Sequence, residues 1–160
     1  MRYIGAFCIV LATLIAWRGY QAYLSEELGF IRAFLGALED YRDGVRCYLK
    51  PLSEWAAEYS DGRLASVGFL SLLSDGEDAL SAYRAVKDRC YLPMTADEVL
   101  DSVFSGLGKG YLEGEIEALD DAVSRLGAQE KELSVELSKR QRVAGALLGA
   151  LAVGTVILVI

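Results

Sequence analysis

Residues 143–160 read VAGALLGALAVGTVILVI, eighteen positions without a charge, and KRQR stands immediately before them. No other feature limits the fold so severely. A backbone that enters hydrocarbon must satisfy its own amides, which a helix does within one segment. Eighteen residues at 1.5 Å each extend about 27 Å, close to the ~30 Å core of a bilayer. The expectation is a spanning helix over 143–160. The opening MRYIGAFCIVLATLIAWRGY has Arg2 and then an apolar run from Ile4 to Trp17. A charged start before a short apolar run also describes a secretory signal. Yet Ala16, Gly19 and Ala22 each have bulky residues two positions away on both sides, so no small-x-small cleavage pair follows the run. Segment 1–20 therefore reads as an uncleaved anchor with Tyr3, Trp17 and Tyr20 as interfacial aromatics. Residues 21–142 form the body between the two anchors.

Charge separates the functions such a body can have. The chain has formal net charge −7, and all 23 acidic residues lie between the two apolar ends. A surface of that sign cannot neutralise phosphates, so nucleic acid is excluded as a partner. Basic residues nearest the anchors on the body side are Arg18 at one end and Lys139, Arg140 and Arg142 at the other. By the positive-inside rule these hold the body in the cytoplasm with both chain ends extracytoplasmic. The same four side chains lie over lipid headgroups, and the bilayer is the first partner. Cys8, Cys47 and Cys90 are odd in number and lack CxxC spacing, which argues against a disulfide framework or zinc site and for reduced, mostly buried thiols.

The body is helical throughout. Leu24, Leu28, Ile31, Leu35, Leu38, Val45 and Leu49 keep alternating steps of four and three, with one gap at Arg42. That seam predicts a helix continuous with the first anchor and ending before Pro51. A short segment PLSEWAAEY follows, closed by the turn signal Asp61-Gly62, and RLASVGFLSLL reads as one further helix. Ser74 with Glu77, and Thr95 with Glu98, have capping-box spacing and mark two more helix starts. A second seam, Leu112, Ile116, Leu119, Val123, Leu126, Leu133 and Leu137, is interrupted at Glu130 and runs without a breaker into 143–160. The expected fold is all-α, an antiparallel bundle of about six helices whose first and last members continue into the membrane. If the two long helices leave the membrane side by side, Lys50-Pro51 and the loop 106–110 lie together at the far end. Candidate docking residues there are Lys50, Pro51, Leu52, Glu54, Leu107, Gly108, Lys109, Glu113, Gly114 and Glu115. Within the anchors, Ala12 and Ala16, and Gly145 and Gly149, are spaced by four, a stripe that lets membrane helices pack closely.

Catalytic equipment is sparse. The chain has no histidine, the commonest general base and metal ligand. Adjacent carboxylates such as Asp120-Asp121 and Glu26-Glu27 face different directions on a helix and read as solvated. In SGLGKGYLEG a phosphate loop is suggested, but Lys109 is followed by Gly110 where Ser or Thr is needed to hold magnesium, and no strand precedes it. No cofactor, metal or small-molecule substrate is expected, and the chain is read as a non-enzyme.

Two stretches carry a family likeness. ALEDYRDGVRCYLKPLSE and LGKGYLEGEIEAL, in this order and between two anchors, resemble the stage III sporulation protein AB family of endospore-forming bacteria. Leu107, Gly108, Glu113 and Gly114 match the family pattern, and Glu115 stands where Gln is usual. The resemblance implies a mother-cell membrane protein of the apparatus linking mother cell and engulfed forespore. It also implies a cytosolic bundle similar to type II secretion platform domains, working beside other apparatus subunits and a secretion-type ATPase. A small membrane channel or regulatory subunit acting through its transmembrane helices is the alternative.

Overall fold

The computed structural model describes residues 2–108 and 112–159, with side chains placed at 25–108, at 112–140 and at scattered flanking positions. The described residues form α-helices and one 3-10 turn, with no strand among them. α1 (Arg2–Tyr48) and α7 (Leu112–Val159) are each about 70 Å long at 1.5 Å per residue. Between them lie five shorter helices, α2 (Leu52–Glu58), α3 (Gly62–Val67), α4 (Phe69–Ser74), α5 (Ala79–Val86) and α6 (Met94–Gly106), with the 3-10 turn Lys87–Arg89 after α5.

The expected number of about six is too low, and Gly68 is the main reason. The stretch that reads as one helix over 63–73 is cut there, because Gly68 takes φ 86° and its amide donates to the carbonyls of Leu64 and Ala65 to close α3 before α4 begins. Glycine adopts that left-handed conformation without the Cβ penalty other residues meet. The two capping boxes also fail. Ser74 ends α4, its hydroxyl donating to the Ser71 carbonyl at 2.9 Å, whereas α6 starts from Pro93 with Thr95 already inside it. Side-chain capping occurs instead at Asp61, whose carboxylate accepts from the Arg63 and Leu64 amides, both at 2.9 Å, to start α3.

Side-chain pairs between the long helices fix their relation. Tyr41 bonds Glu115, Arg42 and Arg46 both reach Asp120, and Arg32 reaches Glu130. As α1 numbers fall, α7 numbers rise, so the helices run antiparallel. The two seams meet along this line: Leu28, Ile31, Leu38 and Val45 are buried from one side, Leu119, Ala122 and Leu126 from the other. Each interruption in a seam is an ion-pair member across the contact. Arg42 takes Asp120 at 3.1 Å, and Glu130 takes Arg32 at 2.6 Å.

Most of the apolar burial comes from the short helices packed on the 30–45 stretch of α1. Phe34 from α1, Phe69 from α4, Tyr83 from α5 and Phe104 from α6 form one aromatic knot, with ring centroids 5.2–6.2 Å apart in edge or tilted pairs, geometries that suit the quadrupoles of the rings. Each contributes on the order of 2–3 kcal/mol by burial. A second group, Tyr41, Trp55 and Tyr59, pins α2 against α1, with the Trp55 indole donating to Asp40 at 2.7 Å. Among the described residues no helix is long and apolar enough to cross a membrane. The side chains of the expected anchors, 1–20 and 143–160, fall for the most part outside the described residues.

Candidate functional site

The body ends, away from the apolar segments, where α1 stops and α7 starts. Leu49 stops α1: it takes φ 51° and its amide closes the last turn on the Val45 carbonyl at 3.2 Å. Lys50, preceding Pro51, is steered out of the helical region, and Pro51 with φ −61° starts α2. The Lys50 ammonium is held by the Glu58 carboxylate. On the other side of this end, Gly108 turns the chain at φ 75° after Leu107, and the first turn of α7 presents Glu113 and Glu115.

Of the ten sequence-derived docking residues, Pro51, Glu54, Gly108, Glu113 and Gly114 are exposed, and Lys50 is partly so. Glu115 is half-buried because it accepts the Tyr41 hydroxyl at 3.2 Å. Burial and the Glu115 carboxylate together push the Tyr41 phenol well above its ordinary range, so the hydroxyl stays a donor. Leu107 is buried, which takes it off the surface, and Leu52 packs against the core and stays only partly exposed. Lys109 lies outside the described residues.

Three residues at this end were not among those candidates: Cys47, Tyr48 and Leu49. All are exposed, Tyr48 at 81% and Leu49 at 68%. Leu49 continues the seam by count, four residues after Val45, but the helix closes before it and its side chain turns outward. The signal in the sequence was Pro51, two positions on. Cys47 corrects the expectation of mostly buried thiols, whereas Cys90 is buried and its thiol is pushed up to about 11 by that burial.

At the opposite end Arg18, Lys139 and Arg142 are exposed, and Arg140 is paired with Glu136 one turn before it. Just inside them, Glu27 is half-buried with its carboxyl raised, first by burial and then by Glu136 across the helix pair. Ala12, Ala16, Gly145 and Gly149, the stripe residues, have side chains outside the described residues. Ala144 beside them is buried at 7%.

The carboxylate pairs separate as helix geometry requires. Asp120 serves Arg42 and Arg46 while Asp121 serves Arg125, and Glu26 holds Arg63 at 2.6 Å. A groove of 650 Å³ between α1 and α3 is lined by Glu26, Arg32, Asp61 and Arg63; the two arginines are paired with Glu130 and Glu26, and Asp61 accepts the first amides of α3. Among the described residues no cluster could hold a metal ion.

Comparison with known proteins adds one finding. The model of the stage III sporulation protein AB family matches residues 2–160. No curated protein and no solved structure matches the chain.

Proposed function

Because the chain belongs to the stage III sporulation protein AB family, we propose that it is a non-enzymatic platform of a sporulation apparatus, similar to the platform domains of type II secretion. Its apolar ends anchor it in the mother-cell membrane facing the forespore, its helical body stands in the cytoplasm, and the far end of that body docks a secretion-type ATPase or another apparatus subunit. The observation that carries this reading is the antiparallel pairing of α1 with α7, which supports two apolar ends leaving the body in the same direction. Exposed Leu11, Leu14, Ile15 and Val143 support it further: water disfavours such a surface, whereas lipid tails accept it. Buried Ala144 supports close packing of the helices as they leave the body. Arg18, Lys139 and Arg142 then sit over anionic headgroups, each contributing on the order of 1 kcal/mol.

Two experiments test it. The full chain, tagged and purified from membranes of sporulating cells, is expected to bring down an ATPase; recovery of apparatus membrane subunits without any ATPase counts against docking. Replacing residues 1–20 and 143–160 with unrelated spans should leave spore formation largely intact if the body does the work. Loss of sporulation with a correctly inserted, folded body would favour a channel or regulator acting through the spans.

A further inference from the structure

Cys47 and Tyr48 end α1 and Leu49 follows it, three consecutive exposed residues. Single exposed apolar side chains are ordinary on a protein surface. Two bulky neighbours at a helix terminus form a patch instead, and Leu112, 43% exposed on the first turn of α7, lies at the same end. The Tyr41–Glu115 bond sets the register: Leu112 lies about 5 Å beyond Glu115 and Tyr48 about 10 Å beyond Tyr41, both toward the same end.

Carboxylates surround this patch. Glu54, Glu58 and Glu113 are exposed there, with Asp43 and Glu117 one or two turns back. Among the described basic groups there, Lys50 is held by Glu58, and Arg42 and Arg46 are held by Asp43 and Asp120. A second copy of the same end would meet like charges, and anionic headgroups would be repelled in the same way. A cationic surface would not.

We propose that the Tyr48–Leu49 patch with its acidic ring docks a protein surface that is net basic and carries an apolar recess, Tyr48 and Leu49 filling the recess and Glu54 and Glu113 meeting the basic rim. Buried aromatic anchors supply most of the affinity of such interfaces, and complementary charge supplies orientation and on-rate. The proposal rests on the platform reading and names the chemistry of its partner.

The test uses the full chain in sporulating cells, with the photoreactive residue p-benzoylphenylalanine replacing Tyr48 or, as a control, exposed Ser102 on α6. After irradiation the adducts are mapped by mass spectrometry. An adduct at 48 to a peptide that is net basic and contains apolar residues is expected. In the presence of Glu54→Lys and Glu113→Lys its yield should fall about tenfold or more, while the purified protein keeps its helical circular-dichroism signal and a cooperative melt, lowered only by the loss of two acidic side chains from helix first turns. An adduct to an acidic peptide, to lipid or to a second copy of this chain overturns the proposal, as does a yield that ignores the two charge reversals. Adducts to apparatus proteins from 102 but none from 48 overturn this docking surface and leave the platform reading standing. Adducts from neither position overturn both.

Discussion

A leucine at φ 51° is an expensive way to end a helix. The left-handed region brings its Cβ against the following carbonyl, at about 1–2 kcal/mol for an L-residue, and glycine avoids that cost. Leu49 is 68% exposed, so its side chain recovers little by burial. Leu49→Gly is therefore expected to raise the unfolding free energy by roughly 0.5–1 kcal/mol in a denaturant titration, and a lower midpoint would mean that the side chain supports the fold after all. Retention of a residue that costs stability fits a surface used for something other than folding. Beside it, Cys47 sits two positions from the seam residue Val45, about 200° round the helix at 100° per residue. The seam thus already placed this thiol outward, and the expectation of mostly buried cysteines overlooked its own periodicity. In a Cys8→Ser variant of the full chain, one thiol should react with an aromatic disulfide reagent near pH 8 in the folded state, and the second only on unfolding. Cys90 is buried and pushed up to about 11, which keeps the thiolate scarce. Two fast thiols would place Cys90 in solvent.

The short helices show what local patterns can and cannot say about an element. Capping-box spacing at Ser74 and Thr95 is a necessary pattern, but both residues lie within helices already under way, and the chain reaches the next start by Asp78 and Pro93. Asp61-Gly62 reads as a turn, and the same carboxylate that marks the turn starts α3. Asp61→Ala should cost about 1 kcal/mol by loss of two amide hydrogen bonds. Ser74→Ala and Thr95→Ala should stay within about 0.5 kcal/mol. Chemical denaturation of the three variants ranks them, and equal losses would restore the boxes. The aromatic knot was not legible, because which of Phe34, Phe69, Tyr83 and Phe104 meet depends on how four helices cross. Between the long helices, the two breaks in the seams were visible as breaks; their pairing with Asp120 and Arg32 required the register. Glu27 is the strained member of that contact, raised by burial and by Glu136. A carboxyl raised in the folded state lends stability below its ordinary range and loses it as pH rises through the folded value. Glu27→Gln is thus expected to raise the melting temperature near neutral pH, with the gain vanishing at about pH 4. A gain that persisted at low pH would assign the effect to packing instead.

At the scale of the whole molecule, one topological fact organises the rest. Residues of every element from α2 to α6 join one core with Phe30–Val45 of α1 and Leu119–Leu126 of α7, so the pair serves as both core and stalk. The antiparallel return was legible in the sequence because two seams of matching length flank the short helices, and each seam runs on into an apolar end. Its register was not, since heptads alone allow shifts by seven. The observed pairs set it: 32 lies against 130 and 42 against 120. In a full chain with Cys8, Cys47 and Cys90 changed to serine, the pair Arg32→Cys with Glu130→Cys should therefore be bridged by a short bismaleimide in membranes. The pair Arg32→Cys with Leu112→Cys, displaced by eighteen residues or about 27 Å of helix, should not. Bridging of the first pair within one chain holds both apolar ends on the same side of the body, as the platform reading needs. Bridging only between two chains would mean that the long helices pair across protomers, and each body would then have its two apolar ends committed to different neighbours.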